Sequence, residues 1–143
     1  MKIILLGCTS KKKSCKCAAK DMYSASAFFR YAYEYAKTID GEIYILSAKY
    51  GLLHKYEVIE PYNYTLNNQS ESVKKAWSKD VCKQFEKEFS TEKELDIVCL
   101  AGQNYRKYLI PLLKTKFQTS IDCPLSNMRI GHQIQHLKKL LNE

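Results

Sequence analysis

The chain has 143 residues, of which 45% are hydrophobic and 27% charged, and its 23 lysines and arginines against 15 acidic residues give a net charge of +8. This length predicts a single domain over residues 1–143 and is too short for two. No apolar run reaches the roughly 18–20 residues needed to span a bilayer, so we expect a cytoplasmic protein with no membrane partner. The positive charge favours an anionic partner, although a basic surface that only keeps the protein soluble has the same composition.

Strand-like and helix-like segments alternate along the chain. Continuous apolar runs predict strands, each followed by a polar or glycine-containing turn, at residues 2–7, 42–48, 95–101 and, in a shorter form, 121–125. Serine N-caps and apolar residues three or four positions apart predict helices at residues 24–38 and 70–89. Two further helices are predicted at residues 104–116, after the turn at Gly102, and at residues 130–141, where the pattern is amphipathic. Residues 53–68 contain Pro61 and are predicted to be irregular.

This order predicts an α/β fold: a single three-layer domain in which a mainly parallel sheet of about four strands is flanked by helices. Right-handed crossovers would place the loops after all four strands at one edge of the sheet. Ligands of open sheets bind beyond the carboxyl ends of the strands. We therefore expect one composite site, built from residues 8–13, 47–51, 102–105 and 124–131.

The loop after the first strand is the most basic part of this predicted site. Small and hydroxyl residues at a strand end can bring backbone N–H groups and lysines up to an anion. The ligand-binding residues predicted here are Thr9, Ser10, Lys11 and Lys12, with the lysines holding phosphate. Cys8 is either a nucleophile that nearby cations activate or a structural thiol.

The end of the second strand contributes a polar turn followed by a carboxylate. Lys49 is predicted to be catalytic, as a phosphate contact or a nucleophile, and Glu60 to be its partner or a general acid or base. The alternative for this pair is a plain surface salt bridge. The residues predicted to surround the ligand here are Ser47, Tyr50, Gly51 and Tyr62.

Two strand-to-helix junctions complete the predicted site. Tyr23 and Ser26 either face a ligand at a helix N-terminus, where the dipole favours anions, or belong to a simple helix cap. Gly102 and Tyr105 follow the third strand, and Tyr105 is predicted to stack on a base.

Neither the cysteines nor the histidines of the sequence match a known metal-binding motif. Cys8, Cys15 and Cys17 offer three thiolates, but structural zinc sites use Cys-x2–4-Cys pairs, and no second pair follows. His132 and His136 share a helical face without the glutamate of a His-Glu-x-x-His motif. We expect reduced thiols, no metal and no cofactor.

Residues 45–53, Ile-Leu-Ser-Ala-Lys-Tyr-Gly-Leu-Leu, with Pro61-Tyr62, resemble the Leu-Ser-x-x-Tyr-Gly-Leu-Leu…Pro-Tyr signature of the peroxide-stress protein YaaA family. Over nearly its full length the chain is similar to a related small bacterial and phage family of unknown function. The matching segments of this chain are residues 8–12, Met22-Tyr23 with Phe28, residues 47–52, Gly102 with Tyr105, and Ile130-Gly131.

A weaker similarity is to the core of archaeosine synthase, which acts on a deazaguanine base in transfer RNA. It rests on Cys8, Lys12, Tyr23 and Ser26, while Phe29 stands where that motif has histidine. The YaaA-like resemblance implies DNA binding and protection under oxidative stress. Together the two resemblances imply a nucleic-acid or nucleobase setting without defining a reaction.

The expected function is binding of a nucleotide, nucleobase or nucleic acid at the strand-end edge, with a reaction on a base or an N-glycosidic bond as the enzymatic version. The alternative is a non-catalytic basic DNA- or RNA-binding module, whose affinity would fall steeply with salt. Whether the protein is an enzyme, and its oligomeric state, stay open at the level of the sequence.

Overall fold

The strand β1 (Lys2–Gly7) is buried on both faces because its apolar residues alternate between two hydrophobic cores. Ile3 and Leu5 belong to one core, and Ile4 and Leu6 to the other; all four are fully buried. A strand of this kind needs a neighbour on each side and a layer of helices on each face. The computed structural model, which describes residues 1–142, supplies both.

β1 lies at the centre of a five-stranded sheet with the order β4-β3-β1-β6-β7. The other strands of this sheet are β3 (Glu42–Ser47), β4 (Gly51–His54), β6 (Glu94–Cys99) and β7 (Gln118–Asp122). All neighbours are parallel except β3 and β4, which form an antiparallel hairpin. Two short strands, β2 (Cys17–Ala18) and β5 (Val58–Ile59), pair antiparallel in a separate sheet.

Helices cover both faces of the large sheet, as the sequence predicts. They are α1 (Ala19–Met22), α2 (Ala27–Lys37), α3 (Glu71–Glu88), α4 (Gln103–Arg106), α5 (Leu109–Lys116) and α6 (Ile130–Leu141). α2 packs against α6, and α3 packs against α5. Within residues 1–142, no helix is long and apolar enough to cross a bilayer.

The expected α/β fold with a mostly parallel sheet is confirmed, but three local predictions were wrong. The sheet has five strands rather than about four, because β4 was not predicted: its first half lies in the predicted turn and its second half in the segment predicted to be irregular. The predicted helix 104–116 is divided into α4 and α5, since Pro111 lacks an N–H group and fits only the first turn of a helix. The last strand begins at Gln118 and ends before Pro124, which cannot donate to a sheet ladder.

The strand order creates a crevice at the carboxyl end of the sheet. After β1 the chain builds β3 on one side, and later β6 on the other side of β1. The loops that follow β1 and β6 therefore leave in opposite directions, which defines a topological switch point. Because β1, β3, β6 and β7 are parallel, their following loops share one edge, as predicted.

The turn between β3 and β4 depends on a glycine. Gly51 has φ of 75°, a left-handed conformation that L side chains rarely adopt. Gln84 of α3 holds the two neighbouring residues, since Leu52 N donates to Gln84 Oε1 at 2.9 Å and Gln84 Nε2 donates to Tyr50 O at 3.2 Å. A Cβ atom on Gly51 would overlap with Gln84 Oε1. Gly51, predicted to bind ligand, thus has a structural role in this turn.

Gly51→Ala is expected to lower the free energy of unfolding by about 1–3 kcal/mol, because it strains the backbone and displaces the Gln84 side chain. Gly131→Ala is the matched control, since Gly131 lies in α6 and an added Cβ would meet nothing within 4 Å. In this control the free energy of unfolding should rise by up to about 1 kcal/mol, because alanine has a higher helix propensity than glycine. Urea denaturation of both variants measures the difference, and equal effects would contradict the role of the turn.

Candidate functional site

A cleft of about 320 Å³ lies beyond the carboxyl ends of β1 and β6, at the switch point. Its size is near the lower end of the roughly 300–1,000 Å³ typical of small-molecule sites. We call it the strand-end cleft; its lining residues are Cys8, Thr9, Ser10, Lys12, Tyr64, Thr65, Asn67, Asn68 and Tyr105. A hollow of about 410 Å³ lies along α1 and α2, and none of its lining residues is among the residues that line the strand-end cleft.

Cys8 is held from several directions at the base of the cleft. Its N–H donates to Leu46 O at 3.0 Å, which extends the β1–β3 pairing by one residue. The Ala48 N–H donates to Cys8 Sγ at 3.4 Å, and Cys8 Sγ donates to the Tyr105 hydroxyl at 3.3 Å. If the sulfur ionised, Tyr105 could reverse this bond and donate to it. These contacts fix the position of the partly exposed Cys8 sulfur, and its predicted role as a nucleophile stays a prediction.

A chain of three hydroxyl groups lies beside Cys8. Ser47 Oγ accepts from the N–H groups of Lys49 and Tyr50 at 3.2 and 3.0 Å, so its own proton goes to Tyr62 Oη at 2.8 Å. The Tyr62 and Tyr23 hydroxyls are 2.7 Å apart. We call Ser47, Tyr62 and Tyr23 the hydroxyl chain. The hydroxyl chain connects three residues that were predicted to bind ligand and that come from three separate segments of the sequence.

The tyrosines of the hydroxyl chain are neutral phenols at pH 7. Burial raises the pKa of Tyr23 to about 12. The pKa of Tyr62 is raised further, first by burial and then by the nearby Cys8 sulfur. Burial is also the main reason that the pKa of Tyr105 is raised. These groups therefore keep their protons near neutrality and do not serve as bases there.

Lys12 is the basic residue that lines the cleft. Its Nζ lies 4.5 Å from the centre of the Tyr62 ring and donates to Ser10 O at 3.5 Å. Burial lowers the pKa of Lys12, and the nearby Cys8 opposes this shift. Lys11 is exposed, and its carbonyl accepts from Thr9 Oγ1 at 2.9 Å. Of the two lysines predicted to hold phosphate, the structure therefore places only Lys12 in the cleft lining.

The structure gives Tyr105 and Ser26 roles that differ from stacking on a base and facing a ligand. Tyr105 is only 5% exposed and its ring packs edge-on against Trp77, with 5.4 Å between the ring centres, so neither face is free to stack on a base. Its hydroxyl, which also accepts from Leu66 N at 3.3 Å, faces the cleft instead. Ser26 is the N-cap of α2 and accepts from Phe29 N at 3.3 Å, which confirms the capping interpretation.

Lys49 and Glu60 lie outside the cleft lining. Both are exposed, and Lys49 Nζ lies 5.2 Å from the centre of the Tyr50 ring. No ion pair joins the two residues in the described part of the chain. Tyr50 donates to the Glu60 carbonyl at 3.2 Å and meets Tyr62 edge-on. The predicted catalytic roles of Lys49 and Glu60 stay predictions. Gly102, which was predicted to bind ligand, is the exposed N-cap of α4.

The outer wall of the cleft was missed by sequence reasoning. Tyr64, Thr65, Asn67 and Asn68 form it, from the segment predicted to be irregular. Tyr64 is 39% exposed, and Asn67 Oδ1 accepts from Asn104 Nδ2 at 2.9 Å. The available signal was the combination of an aromatic residue and paired asparagines in a segment without periodicity. Among residues 1–142, no cluster of three His, Cys, Asp or Glu side chains is suited to hold a metal ion.

The strand order and the cleft define a doubly wound α/β protein with a partly exposed thiol, a lysine and neutral phenols at its switch point. The chain belongs to a family of unknown function (DUF6884), which it matches over residues 3–139. It is also 34% identical, over 128 residues, to the uncharacterized protein YfjM of Bacillus subtilis (strain 168), an alignment that covers 87% of this chain and 81% of the relative.

The expected membership of a family of unknown function is thus confirmed. The proposed relations to the YaaA family and to archaeosine synthase stay predictions, since the matched family and relative carry no assigned activity.

Tyr62→Phe is expected to lower the free energy of unfolding by about 1–3 kcal/mol, because it leaves the buried Ser47 and Tyr23 hydroxyls without their shared partner. Tyr64→Phe is the control, since Tyr64 is 39% exposed, and should change stability by less than about 0.5 kcal/mol. Thermal and urea unfolding measure both, and a neutral Tyr62→Phe would disprove the structural role of the hydroxyl chain.

The raised pKa values of Tyr23 and Tyr62 predict a loss of stability at alkaline pH. In the unfolded chain both tyrosines ionise near pH 10, whereas in the folded protein they keep their protons, so the unfolded state binds fewer protons above that pH. The stabilisation is complete below pH 10 and is lost at about 1.4 kcal/mol per pH unit for each tyrosine as pH rises to the folded pKa. Unfolding curves from pH 8 to 12 test this slope, which should be shallower in Tyr62→Phe.

Proposed function

We propose that this protein binds a nucleotide, either free or as a unit of a nucleic acid, in the strand-end cleft. The observation that carries the proposal is the convergence of a cation, hydroxyl groups and amide groups on one small cleft at the switch point of the sheet. Each of these groups matches a different part of a nucleotide.

The phosphate end is assigned to the loop after β1. Lys12 supplies a positive charge, and Thr9 and Ser10 supply hydroxyl groups at the end of a buried strand. A charge-assisted hydrogen bond from a lysine to a phosphate is stronger than a neutral one. The net charge of +8 adds long-range attraction for such a ligand.

The base end is assigned to the outer wall. Asn67 and Asn68 carry both donors and acceptors, which suits the edge of a base. Tyr64, with 39% of its surface exposed, has a ring that a base can cover, in contrast to the buried Tyr105. Stacking of a base on an aromatic ring contributes about 1–3 kcal/mol and tolerates different bases.

Lys12→Ala is expected to weaken the binding of nucleoside 5′-monophosphates at least about tenfold, which corresponds to ~1.4 kcal/mol. Lys93→Ala is the matched control: it removes the same charge, but Lys93 is exposed and directly precedes β6, at the opposite edge of the sheet. Calorimetric titration with the four monophosphates measures both variants. Equal affinities in the two variants would contradict the assignment of Lys12.

The enzymatic version of the proposal assigns the reaction on the base or its N-glycosidic bond to Cys8. Cys8 is the one thiol that lines the cleft in residues 1–142. Mass spectrometry of ligand that co-purifies with the protein identifies the bound base. Turnover of that ligand should be lost in Cys8→Ser with binding retained, while loss of turnover in Lys49→Ala or Glu60→Gln would instead favour the exposed pair.

The second candidate is a non-catalytic nucleic-acid-binding module, of the kind that the resemblance to the YaaA family implies. The exposed lysines of the loop after β1 favour it, since Lys11, Lys13 and Lys16 all face solvent. This function predicts that binding of single-stranded DNA weakens steeply with salt and survives Cys8→Ser. Tight binding of free monophosphates would argue against it.

A further inference from the structure

Two further cysteine sulfurs lie at the same edge of the sheet as Cys8, outside the strand-end cleft. Cys99 is the last residue of β6, and Cys123 directly follows β7. The two strands are parallel neighbours in which Val98 lies opposite Asp122, so the next residue of each strand places Cys99 opposite Cys123. Both side chains pack into the core on the α3 and α5 face.

The spacing of the strands suits a covalent link. Neighbouring strands lie about 4.8 Å apart, and disulfides join Cα atoms about 4.4–6.8 Å apart. Because the two side chains face the same way in adjacent register positions, a bond between them needs no change of strand pairing.

The two thiols differ in exposure and charge. Cys99 is 2% exposed, whereas Cys123 is half-buried. The interaction with the Cys99 thiol, helped by the Arg106 guanidinium, lowers the pKa of Cys123 to about 6 although its partial burial opposes this. The same interaction and burial raise the pKa of Cys99. The more accessible sulfur is therefore the one whose thiolate is favoured, and its neighbour is shielded.

We propose that Cys99 and Cys123 form an oxidisable dithiol, in which Cys123 attacks a low-molecular-weight disulfide and Cys99 resolves the mixed disulfide. In the first step a bond forms between Cys123 Sγ and one sulfur of the reagent, and the other sulfur leaves as a thiolate. In the second step Cys99 loses its proton and attacks Cys123 Sγ, and the remaining thiol leaves. The two cysteine sulfurs lose two electrons, and the reagent is reduced to two thiols.

Other cysteines provide both a competitor and a reference. Cys15 is exposed and Cys17 half-buried in the basic loop, so these two can react with the same reagent and are replaced by serine in the test protein. Cys82 is 4% exposed and burial raises its pKa, so it should stay reduced as long as the protein is folded. Its protection therefore reports folding in every sample.

The test equilibrates the folded Cys15→Ser, Cys17→Ser chain with buffers of reduced and oxidised glutathione, followed by acid quenching, alkylation and peptide mapping. The expected product is a peptide pair joined through Cys99 and Cys123, with the loss of two hydrogens and with Cys82 alkylated as a free thiol. Cys99→Ser in this background should stop at one glutathionyl group on Cys123. Cys123→Ser should leave Cys99 unmodified.

Two results would overturn the proposal. One is the absence of a Cys99–Cys123 bond under oxidising ratios that modify Cys8 in the same folded sample. The other is reaction of Cys123 no faster than that of Cys82. In the chain that retains Cys99, the rate at which Cys123 first reacts should also rise with pH to a plateau below the usual range of a free thiol, because the Cys99 thiol lowers the pKa of Cys123.

Discussion

Burial of β1 on both faces is the constraint on which the rest of the structure depends. Its four consecutive apolar residues cannot reach water, so each face needs a helical layer and each edge needs another strand. The chain meets this need by building first β3 and later β6 on opposite sides of β1. The diverging loops leave a crevice, and Cys8, the first residue after β1, lies at its base. The site is thus a consequence of how the core is closed.

The most distinctive motif of the chain acts mainly through structure. Ser47 uses its hydroxyl to accept two turn N–H groups and to orient Tyr62, while Trp77 Nε1 donates to its carbonyl at 3.1 Å. Gly51 provides the left-handed conformation that the turn requires, and Gln84 fixes both sides of it. The motif therefore holds the Tyr62 hydroxyl beside Cys8, while Lys49 lies outside the lining of the cleft. Its residue types follow from backbone hydrogen bonding and steric limits.

The same strand-end edge carries two sulfur centres with different surroundings. Cys8 lies among neutral hydroxyl groups and a partly buried lysine, an arrangement that suits binding and attack on a ligand. Cys123 lies against another thiol and near Arg106, an arrangement that suits exchange with disulfides. Parallel strands explain this coexistence, because every crossover returns the chain to the opposite edge and each strand end then emerges on the same side.

Local patterns in the sequence determined β1, β3, β6, and most of α2, α3 and α6, because periodicity and capping depend on residues a few positions apart. Tertiary structure alone decided the antiparallel β4, the outer wall from Tyr64 to Asn68, the burial of Tyr105 and the opposition of Cys99 to Cys123. These features depend on strand order and on contacts between residues far apart in the chain. Such contacts are set by how the two cores close around β1, which no local window of sequence contains.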